Sequence, residues 1–269
     1  MDLSIIILNY KTSGLVRQCL RGLFESSPEL NYEVLVVDNN SADGCLSWIN
    51  INYPSVKTIA LPNNRGYSAG NNEGIRRARG KYVLLLNPDV TIFKGSLEKM
   101  VDFMENNQSV GLAGPRLNNP DGSLQYSAYS WPSFWLPLIR RTWLGHLKWF
   151  RPSLVNYQLM NWDHKDNQPV DWLLGACLIA RASAIEQVGL LDERFFLYVE
   201  DTDWCRRFWQ HDWQVYYLAE VKLVHFHERL SAQANFGALF KKITWIHISS
   251  WIKYFLKWGF IRPQSLNKF

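Results

Sequence analysis

The stretch Tyr82-Val83-Leu84-Leu85-Leu86-Asn87-Pro88-Asp89-Val90 decides the fold prediction for this chain. An apolar, β-favouring run that is stopped by turn residues is typical of a short, fully buried strand. This strand presents one carboxylate, Asp89, at its carboxyl end, which is the edge of an open α/β sheet where ligands bind. Taken alone, Asn-Pro-Asp is also ordinary turn chemistry, so the rest of the chain has to decide between the two interpretations.

Strands and helices alternate along the rest of the chain. Apolar runs predict the strands, and apolar residues at helical spacing predict the helices. This alternation indicates βαβ units, and therefore an α/β fold with a mostly parallel mixed sheet flanked by helices. The second helix is expected to stop at Gly80. Predicted strands lie at 3–8, 33–37, 56–61, 82–86, 111–117, 214–218 and 221–224, an apolar run lies at 173–180, and predicted helices lie at about 12–23, 66–79, 96–106, 182–188, 204–211 and 238–260.

The first strand-to-helix turn, Asn9-Tyr10-Lys11-Thr12, excludes two common nucleotide sites. It contains no GxGxxG, so the pyrophosphate cradle of a dinucleotide-binding domain is missing, and the chain has no P-loop either. It also lacks the glycine-rich basic loop that a sugar nucleotidyltransferase would need after its first strand. A nucleotide must therefore be held in another way.

Composition narrows the class of protein. The chain has 269 residues, 47% of them hydrophobic, and a formal net charge of +5, which favours anionic partners such as nucleotides, phosphates or a membrane surface. No nucleic-acid recognition module accompanies the charge, so no nucleic-acid partner is expected. The 4 cysteines form no CxxC pair, which fits a reducing cytoplasm. We expect neither a secretory leader nor a transmembrane helix.

Tryptophan is concentrated in two segments. Residues 124–169 mix tryptophans with arginines and lysines, which indicates an inserted, partly mobile segment or, alternatively, a surface subdomain that packs its own aromatic side chains. Residues 236–269 form a predicted C-terminal tail outside a main domain at 1–235. The tail reads as a basic amphipathic helix with Trp245, Ile248, Ile252 and Phe255 in one stripe. Such a helix can lie in a membrane interface; the alternative is a helix docked on the domain.

Polar residues follow the predicted strands at several points. An aspartate and a histidine with carboxylates nearby could hold a hard divalent cation, with diphosphate oxygens completing the shell. A separate carboxylate could act as a base toward an incoming hydroxyl. The acidic cluster 200–203 offers such a base, although it could instead favour a helix N-terminus. The residues concerned are Asn9, Asp38, Asn63, Asn64, Asp89, Asp201 and His225.

These motifs, taken in order, resemble the family 2 glycosyltransferases of GT-A fold. The branch that the chain resembles includes the rhamnosyltransferases of bacterial surface polysaccharide assembly. The resemblance covers about residues 3–231 and implies a Rossmann-like nucleotide-diphospho-sugar transferase fold. The matching segments are Ser4–Tyr10, Val36–Gly44, Asn64–Asn72, Leu86–Asp89, Gly114–Arg116 with Asn119–Ser123, Gly175–Cys177 and Tyr198–Arg207.

The resemblance implies roles for individual residues. Asp89 would ligate Mg²⁺ or Mn²⁺ with His225, although His227 competes with His225 for that position. Asp201 would be the general base. Asn87 stands where the first acid of a DxD motif is expected, so the metal site has one carboxylate fewer. A second ligand such as His225, or a metal held mainly by the diphosphate, would make up for it. The donor nucleotide would contact Asn9, Asp38, Asn64, Gly66, Gly70, Asn71 and Asn87, and the acceptor would be supported by Gly175, Ala176, Glu200, Asp203 and Arg206.

The expected activity is that of an inverting glycosyltransferase. It would move a sugar, with dTDP-L-rhamnose the favoured donor, onto a lipid-linked saccharide acceptor in cell-surface polysaccharide synthesis. The protein would be cytoplasmic and peripheral at the inner face of the cell membrane. The alternatives are a UDP- or GDP-sugar donor with the same chemistry, or a non-catalytic membrane-peripheral scaffold that binds saccharide or nucleotide.

Overall fold

The computed structural model describes residues 1–26, 28–136, 139, 147, 149–226, 242–260 and 263. The strands are β1 (Leu3–Asn9), β2 (Tyr32–Asp38), β3 (Lys57–Ala60), β4 (Tyr82–Leu86), β5 (Val90–Thr91), β6 (Val110–Asn118), β7 (Leu124–Gln125), β8 (Ala128–Tyr129), β9 (Gln168–Pro169), β10 (Trp172–Leu173), β11 (Cys177–Arg181) and β12 (Gln214–His225). The helices are α1 (Ser13–Ser26), α2 (Cys45–Asn52), α3 (Gly66–Ile75), α4 (Ser96–Asn106), α5 (Arg151–Tyr157), α6 (Ala182–Val188), α7 (Glu200–Gln210) and α8 (Lys242–Trp258).

A mixed sheet forms the centre of the fold, with the strand order β3-β2-β1-β4-β11-β6-β12-β5. Strands β3, β2, β1 and β4 are parallel, β11 is antiparallel to both of its neighbours, and β6 and β12 are parallel to each other. Because β11 runs antiparallel to both β4 and β6, strand β6 and its parallel neighbour β12 run in the same direction as β4. The carboxyl ends of β1, β2, β4, β6 and β12 therefore share one edge of the sheet.

Strand β1 shows why the sheet is buried on both faces. Ile5, Ile6 and Ile7 are all fully buried, so successive side chains enter opposite layers of the core. One layer packs against α1 and α4, and the other against α6 and α7. Such a continuous apolar run is typical of a parallel sheet that has both faces covered.

The predicted strand at 82–86 is confirmed, and all its residues are buried. The predicted helix at 66–79 is wrong at its end, because α3 stops at Ile75. Gly80 instead passes close to β1, and its backbone N–H donates to Ser4 Oγ at 2.8 Å. A Cβ at position 80 would lie 2.5 Å from the backbone nitrogen of Ser4, so this approach requires glycine.

Two further boundaries differ from the sequence predictions. The strands predicted at 214–218 and 221–224 are one strand, β12, whose pairing with β6 is irregular between Leu218 and Lys222. The apolar run at 173–180 is divided into β10 and β11. The break between them exposes the backbone of Gly175 to α7, where its N–H bonds to Asp201. Helix α2 was not predicted.

Aromatic side chains in the described part of the 124–169 segment pack onto neighbouring strands of the main domain. Tyr129 stacks on Trp172 with ring centroids 4.4 Å apart, and Trp162 lies against Tyr217 at 4.9 Å. Trp149, by contrast, is 91% exposed. Tyr129 and Trp162 therefore belong to the same hydrophobic core as β10 and β12. Arg140, Arg141, Trp143 and Lys148 lie outside the described residues.

Helix α8 is docked on the domain. Its buried side chains Trp251, Tyr254 and Phe255 pack against Phe195 and Val199, just before α7. The predicted apolar stripe is wrong in part, because Trp245 and Ile252 lie on the exposed side of the helix. No helix among the described residues is long and apolar enough to cross a membrane. The predicted helix start at 238 and the domain boundary at 235 lie outside the described residues.

Candidate active site

Asn9 and Asp38 end two neighbouring parallel strands and meet at the shared edge. Asn9 is fully buried, and its Nδ2 donates to Asp38 Oδ1 at 2.7 Å and to Asp43 Oδ2 at 3.1 Å. Asp38 Oδ2 accepts the backbone N–H of Ser41 at 3.0 Å. The side chain of Asn9 thus fixes the Asp38 carboxylate and the turn that follows it.

Asn39, which the sequence analysis did not select, connects this turn to the loop before α3. It is 1% exposed; its Nδ2 donates to the Gly66 carbonyl at 3.0 Å, and its Oδ1 accepts the Arg65 N–H at 3.0 Å. Asn64 Oδ1 accepts the Gly66 N–H at 2.9 Å. Gly66 has φ of +86°, and a Cβ there would lie 2.3 Å from the Phe196 carbonyl oxygen. Glycine is therefore required both by the left-handed backbone and by the contact with Phe196.

Gly70 and Asn71 lie on the buried side of α3. A Cβ at Gly70 would lie 2.5 Å from Leu8 Cδ1, so this glycine lets the helix approach β1. Asn71 is 2% exposed, and its Nδ2 donates to the Tyr67 carbonyl at 3.0 Å. Packing within the fold accounts for both residue types, and their predicted contact with the nucleotide stays a prediction.

Tyr67 connects three segments of the site, and the sequence analysis did not select it. Its hydroxyl lies 3.0 Å from Asn87 Oδ1 and 2.7 Å from the Gly175 carbonyl, so one hydroxyl serves two acceptors. The backbone N–H of Asn87 also donates to the Ala176 carbonyl at 2.8 Å. Burial, and after it the neighbouring acidic groups, raise the pKa of Tyr67 well above its usual range, which keeps the hydroxyl a donor.

Asp89 and His225 face each other where β4 and β12 end. Asp89 Oδ1 lies 3.3 Å from His225 Nε2, and the Asp89 carbonyl accepts the Phe226 N–H at 2.9 Å. His225 Nδ1 lies 2.6 Å from Gln125 Oε1, and Gln125 Nε2 donates to Asn119 at 3.1 Å. Because Gln125 thereby presents its oxygen to the ring, the network assigns the proton of a neutral His225 to Nδ1.

This arrangement fits a divalent cation. The neutral tautomer turns the lone pair of His225 Nε2 toward Asp89 Oδ1, a buried oxygen that accepts no well-formed hydrogen bond from the described residues. Two acceptors that face each other in this way match the donor set of a metal site. No group of 3 or more His, Cys, Asp or Glu side chains that could hold a metal is present among the described residues, so substrate oxygens would have to complete the shell. His227, the competing histidine, lies outside them.

Asp201 lies in the first turn of α7 and is held by backbone amides. Its Oδ2 accepts the Gly175 N–H at 2.9 Å, and its Oδ1 accepts the Thr202 N–H at 2.7 Å. Burial raises the pKa of the Asp201 carboxyl, and these hydrogen bonds lower it. A Cβ at Gly175 would lie 3.3 Å from Asp201 Cβ, so a larger residue there would crowd the carboxylate.

Glu200 precedes Asp201 and is more isolated. It is 5% exposed, and its Oε2 has no hydrogen-bond partner among the described residues. Burial, followed by the charge of Asp201, raises the pKa of Glu200 well above its usual range. The two residues before it, Tyr198 and Val199, have φ of 69° and 73°. Left-handed backbone is a strained conformation for such side chains, and strain of this kind is concentrated at functional sites.

Asp203 and Arg206, which were predicted to support an acceptor, contact helix α8 instead. Asp203 Oδ1 accepts Trp258 Nε1 at 2.8 Å and lies 2.7 Å from Lys257 Nζ. The Arg206 guanidinium lies over the Trp258 ring, 4.5 Å from its centroid. Both side chains are therefore engaged away from the Asp201 carboxylate.

All but one of the predicted residues thus fall into two groups. One group lies along the shared strand edge or is tied to it by hydrogen bonds, and the other packs inside α3 or against α8. Three residues of the site were not predicted. Tyr67 and Asn39 lie within segments that resemble the family, so their polar side chains could have marked them as candidates. Gln125 lies in no such segment, and nothing in the sequence pointed to it. The first group comprises Asn9, Asp38, Asn64, Gly66, Asn87, Asp89, Gly175, Ala176, Asp201 and His225; the second comprises Gly70, Asn71, Asp203 and Arg206; Glu200, which opens α7 beside Asp201, belongs to neither.

The chain is similar to glycosyltransferases of known name and to one of known structure. The chain is 29% identical, over 95% of its length and 88% of the relative, to the N-acetylglucosaminyl-diphospho-decaprenol L-rhamnosyltransferase of Mycobacterium tuberculosis. It is 22% identical to the rhamnosyltransferase WbbL of Escherichia coli K12, over 98% of the chain and 96% of the relative. The mannosyltransferase PcManGT from Pyrobaculum calidifontis, solved with GDP-Man and Mn²⁺, shares the fold with a TM-score of 0.63 at 15% identity; 97% of the chain and 66% of that structure are covered.

The likeness to PcManGT establishes the fold alone, and it agrees with the predicted GT-A architecture. The model of the family described as glycosyl transferase family 2 matches residues 4–158, which is more than half of the chain. The two rhamnosyltransferases extend the similarity over almost the whole sequence. The chain is an enzyme of rhamnosyltransferase-like type, and it belongs to glycosyl transferase family 2.

Proposed function

We propose that this enzyme transfers L-rhamnose from dTDP-L-rhamnose to a lipid-linked saccharide, with inversion at the anomeric carbon. The observation that carries the proposal is the placement of Asp201, a buried carboxylate fixed by the Gly175 amide. Through the Gly175 carbonyl and Tyr67, the same loop is bonded to Asn87, two residues before Asp89. A base and a diphosphate site are thereby connected through a short chain of hydrogen bonds.

In this proposal Asp201 takes the proton of the attacking acceptor hydroxyl. The acceptor oxygen forms a bond to the anomeric carbon on the face opposite the nucleotide, while the bond from that carbon to the diphosphate oxygen breaks. The nucleoside diphosphate leaves with the bonding electron pair. The Gly175 and Thr202 amides hold the Asp201 carboxylate in place for this step.

Asp89 and His225 would hold the Mg²⁺ or Mn²⁺ ion. When bound, the cation would offset the negative charge that develops on the departing diphosphate. Gln125 would keep His225 Nε2 available as a ligand by accepting the Nδ1 proton. Asp38, held by Asn9, would contact the nucleobase, and the backbone amides around Gly66 would lie near the phosphates.

The proposed donor sugar and acceptor are inferred from the names of the relatives. The Mycobacterium tuberculosis relative is named for L-rhamnose and for a diphospho-decaprenol acceptor, and WbbL is named for rhamnosyl transfer. A lipid-linked acceptor also suits the exposed apolar side chains of α8, where Leu256 is 76% and Trp245 is 61% exposed. We therefore place the enzyme at the cytoplasmic face of the membrane, in peripheral contact with it.

A donor panel tests the proposal. The enzyme is incubated with dTDP-L-rhamnose, UDP-GlcNAc, UDP-glucose or GDP-mannose, a short-chain prenyl-diphospho-GlcNAc acceptor, and Mg²⁺, Mn²⁺ or chelator. Of the four donors, we expect only dTDP-L-rhamnose to give dTDP and a new disaccharide lipid. The anomeric configuration of the transferred sugar should be opposite to that in the donor. Turnover with a UDP- or GDP-sugar alone would replace the assigned donor. A lack of binding and turnover with every donor would favour the scaffold interpretation.

A further inference from the structure

We propose that Glu200 acts as a neutral carboxylic acid that donates a hydrogen bond to a sugar hydroxyl of the bound substrate, beside the base Asp201. This inference rests on the proposed transfer reaction and adds a second role to the acidic pair. The pair would carry one proton, located on Glu200, and one negative charge, located on Asp201.

The burial of Glu200 is the first observation. The residue is 5% exposed, and its Oε2 has no hydrogen-bond partner among the described residues. A buried polar oxygen without a partner costs free energy, so such groups are rare unless they serve a ligand. Glu200 opens α7 directly after the left-handed Val199, which is buried against α8. The position of the side chain is therefore fixed by a backbone that the rest of the fold has to hold under strain.

The hydrogen bonds of the two neighbours differ, and this is the second observation. Both oxygens of Asp201 accept backbone N–H groups, from Gly175 and from Thr202. Those bonds stabilise the ionised form of Asp201. Glu200 accepts a hydrogen bond from its own backbone N–H, but its Oε2 has no donor among the described residues. When two adjacent acids compete to ionise, the better-solvated one takes the charge, and the other keeps the proton.

The surrounding charges agree with this division. Asp201 and Asp203 lie on the same helix as Glu200, and Tyr67 faces it from α3. The charge of Asp203 is balanced by Arg207 and Lys257. Among the neighbouring charges Asp201 acts most strongly on Glu200, and its field favours the protonated form of Glu200. Burial and this repulsion both raise the pKa of the Glu200 carboxyl.

A protonated carboxyl is a hydrogen-bond donor through one oxygen and an acceptor through the other. Sugar hydroxyl oxygens accept hydrogen bonds, so a neutral Glu200 can orient a substrate sugar next to Asp201 without adding a second negative charge. An ionised Glu200 would compete with Asp201 for the proton of the reacting hydroxyl. The neutral form therefore separates the roles of base and of sugar-binding group.

Substitution with glutamine separates this role from that of a base. Glu200→Gln preserves size and a neutral donor, so at pH 7 we expect it to keep much more of the wild-type kcat/KM than Glu200→Ala, since a hydrogen bond to the sugar is kept. As the pH rises through the raised pKa, wild-type Glu200 ionises and activity falls; this alkaline decline should be absent from Glu200→Gln. Glu200→Ala should lose about tenfold or more in kcat/KM, the usual cost of one buried hydrogen bond to substrate. Asp201→Asn is the matched variant, because it also exchanges a carboxyl for an amide but removes the proposed base.

An infrared difference spectrum of wild type against Glu200→Gln, recorded without substrate at pH 7, reads the protonation state directly. A protonated carboxyl band that is lost in the variant is expected. An ionised band, or a Glu200→Gln variant as inactive as Asp201→Asn, would overturn the inference. If the band of a protonated Glu200 carboxyl is present but the protein transfers no sugar, the protonation state is as inferred and only the proposed function is contradicted.

Discussion

Gly175 joins two of the hydrogen bonds on which the site depends. Its carbonyl accepts the Tyr67 hydroxyl, and its N–H donates to Asp201. A single residue, through its two adjacent peptide groups, therefore links the position of α3 to that of the Asp201 carboxylate. The absence of a side chain matters as much, because a Cβ at position 175 would lie 3.4 Å from Asp201 Oδ2. The geometry of Asp201 is thus set by backbone groups that few substitutions can alter.

Asp201→Asn should reduce transfer by about 10²-fold or more, because general-base catalysis is removed while the amide keeps the size of the side chain. Donor binding, measured by calorimetry, should stay close to that of wild type. In the wild type, kcat should fall as the pH decreases through the raised pKa of Asp201, since the protonated form cannot accept a proton. Asp102→Asn, an exposed change on α4, is the control. Near-normal turnover in Asp201→Asn would refute the assignment of the base.

Gln125→Met should weaken the affinity for Mn²⁺ by about 10- to 100-fold, the usual effect of losing the partner that orients a histidine ligand. The variant keeps the volume of the side chain but removes the acceptor of the His225 Nδ1 proton. Direct Mn²⁺ binding by electron paramagnetic resonance, in the presence of nucleoside diphosphate, measures the change. Gln210→Met, exposed at the end of α7, is the matched control. Equal Mn²⁺ affinity in both variants would argue against His225 as a ligand.

At the scale of elements, helix α8 holds the turn that presents the acidic pair. Ser250 Oγ donates to the Leu197 carbonyl at 2.9 Å, and Trp251 packs in the cluster that buries Val199. A left-handed conformation at two successive residues without glycine costs about 1–3 kcal/mol for each. That cost has to be offset by contacts around the turn, and α8 supplies several of them.

Trp251→Ala should therefore reduce kcat by relaxing the turn, with the affinity for the donor nucleotide largely kept. Loss of a large buried aromatic side chain costs about 3–5 kcal/mol, so faster amide hydrogen exchange in residues 195–203 should accompany the loss of activity. Leu256→Ala, on the exposed side of the same helix, is the control when a water-soluble acceptor is used. Full activity of Trp251→Ala would show that the turn keeps its geometry without α8.

At the scale of the whole molecule, the strand edge was predictable because local patterns set it. The apolar runs ending in Asn9, Asp38 and Leu86 define buried strands, and parallel strands bring their carboxyl ends together. Contacts between distant side chains were not predictable in this way. Gln125 and His225 are 100 residues apart, and neither periodicity nor a motif encodes their pairing.

Helix geometry explains why sequence proximity misled at the acidic cluster. Residues that are two apart on a helix do not face each other. Asp203 therefore lies away from Asp201 and meets α8, although both belong to one motif. Gly70 and Asn71 lie on the packed side of α3, where contacts with β1 and within the helix engage them. The sequence does not show that Asp203 and Arg206 pair with side chains of α8, so the docking of this helix could not be predicted from it.

The docking of α8 has a consequence for the order in which the protein is made. The resemblance to the family ends near residue 231, yet the contacts of Asp203 with α8 form only when Lys257 and Trp258 have been added. A nascent or shortened chain that ends between these points carries every motif that resembles the family, but it lacks the contacts of α8 with the acidic turn. Possession of the motifs and competence for transfer are thus separated by about twenty-five residues of translation.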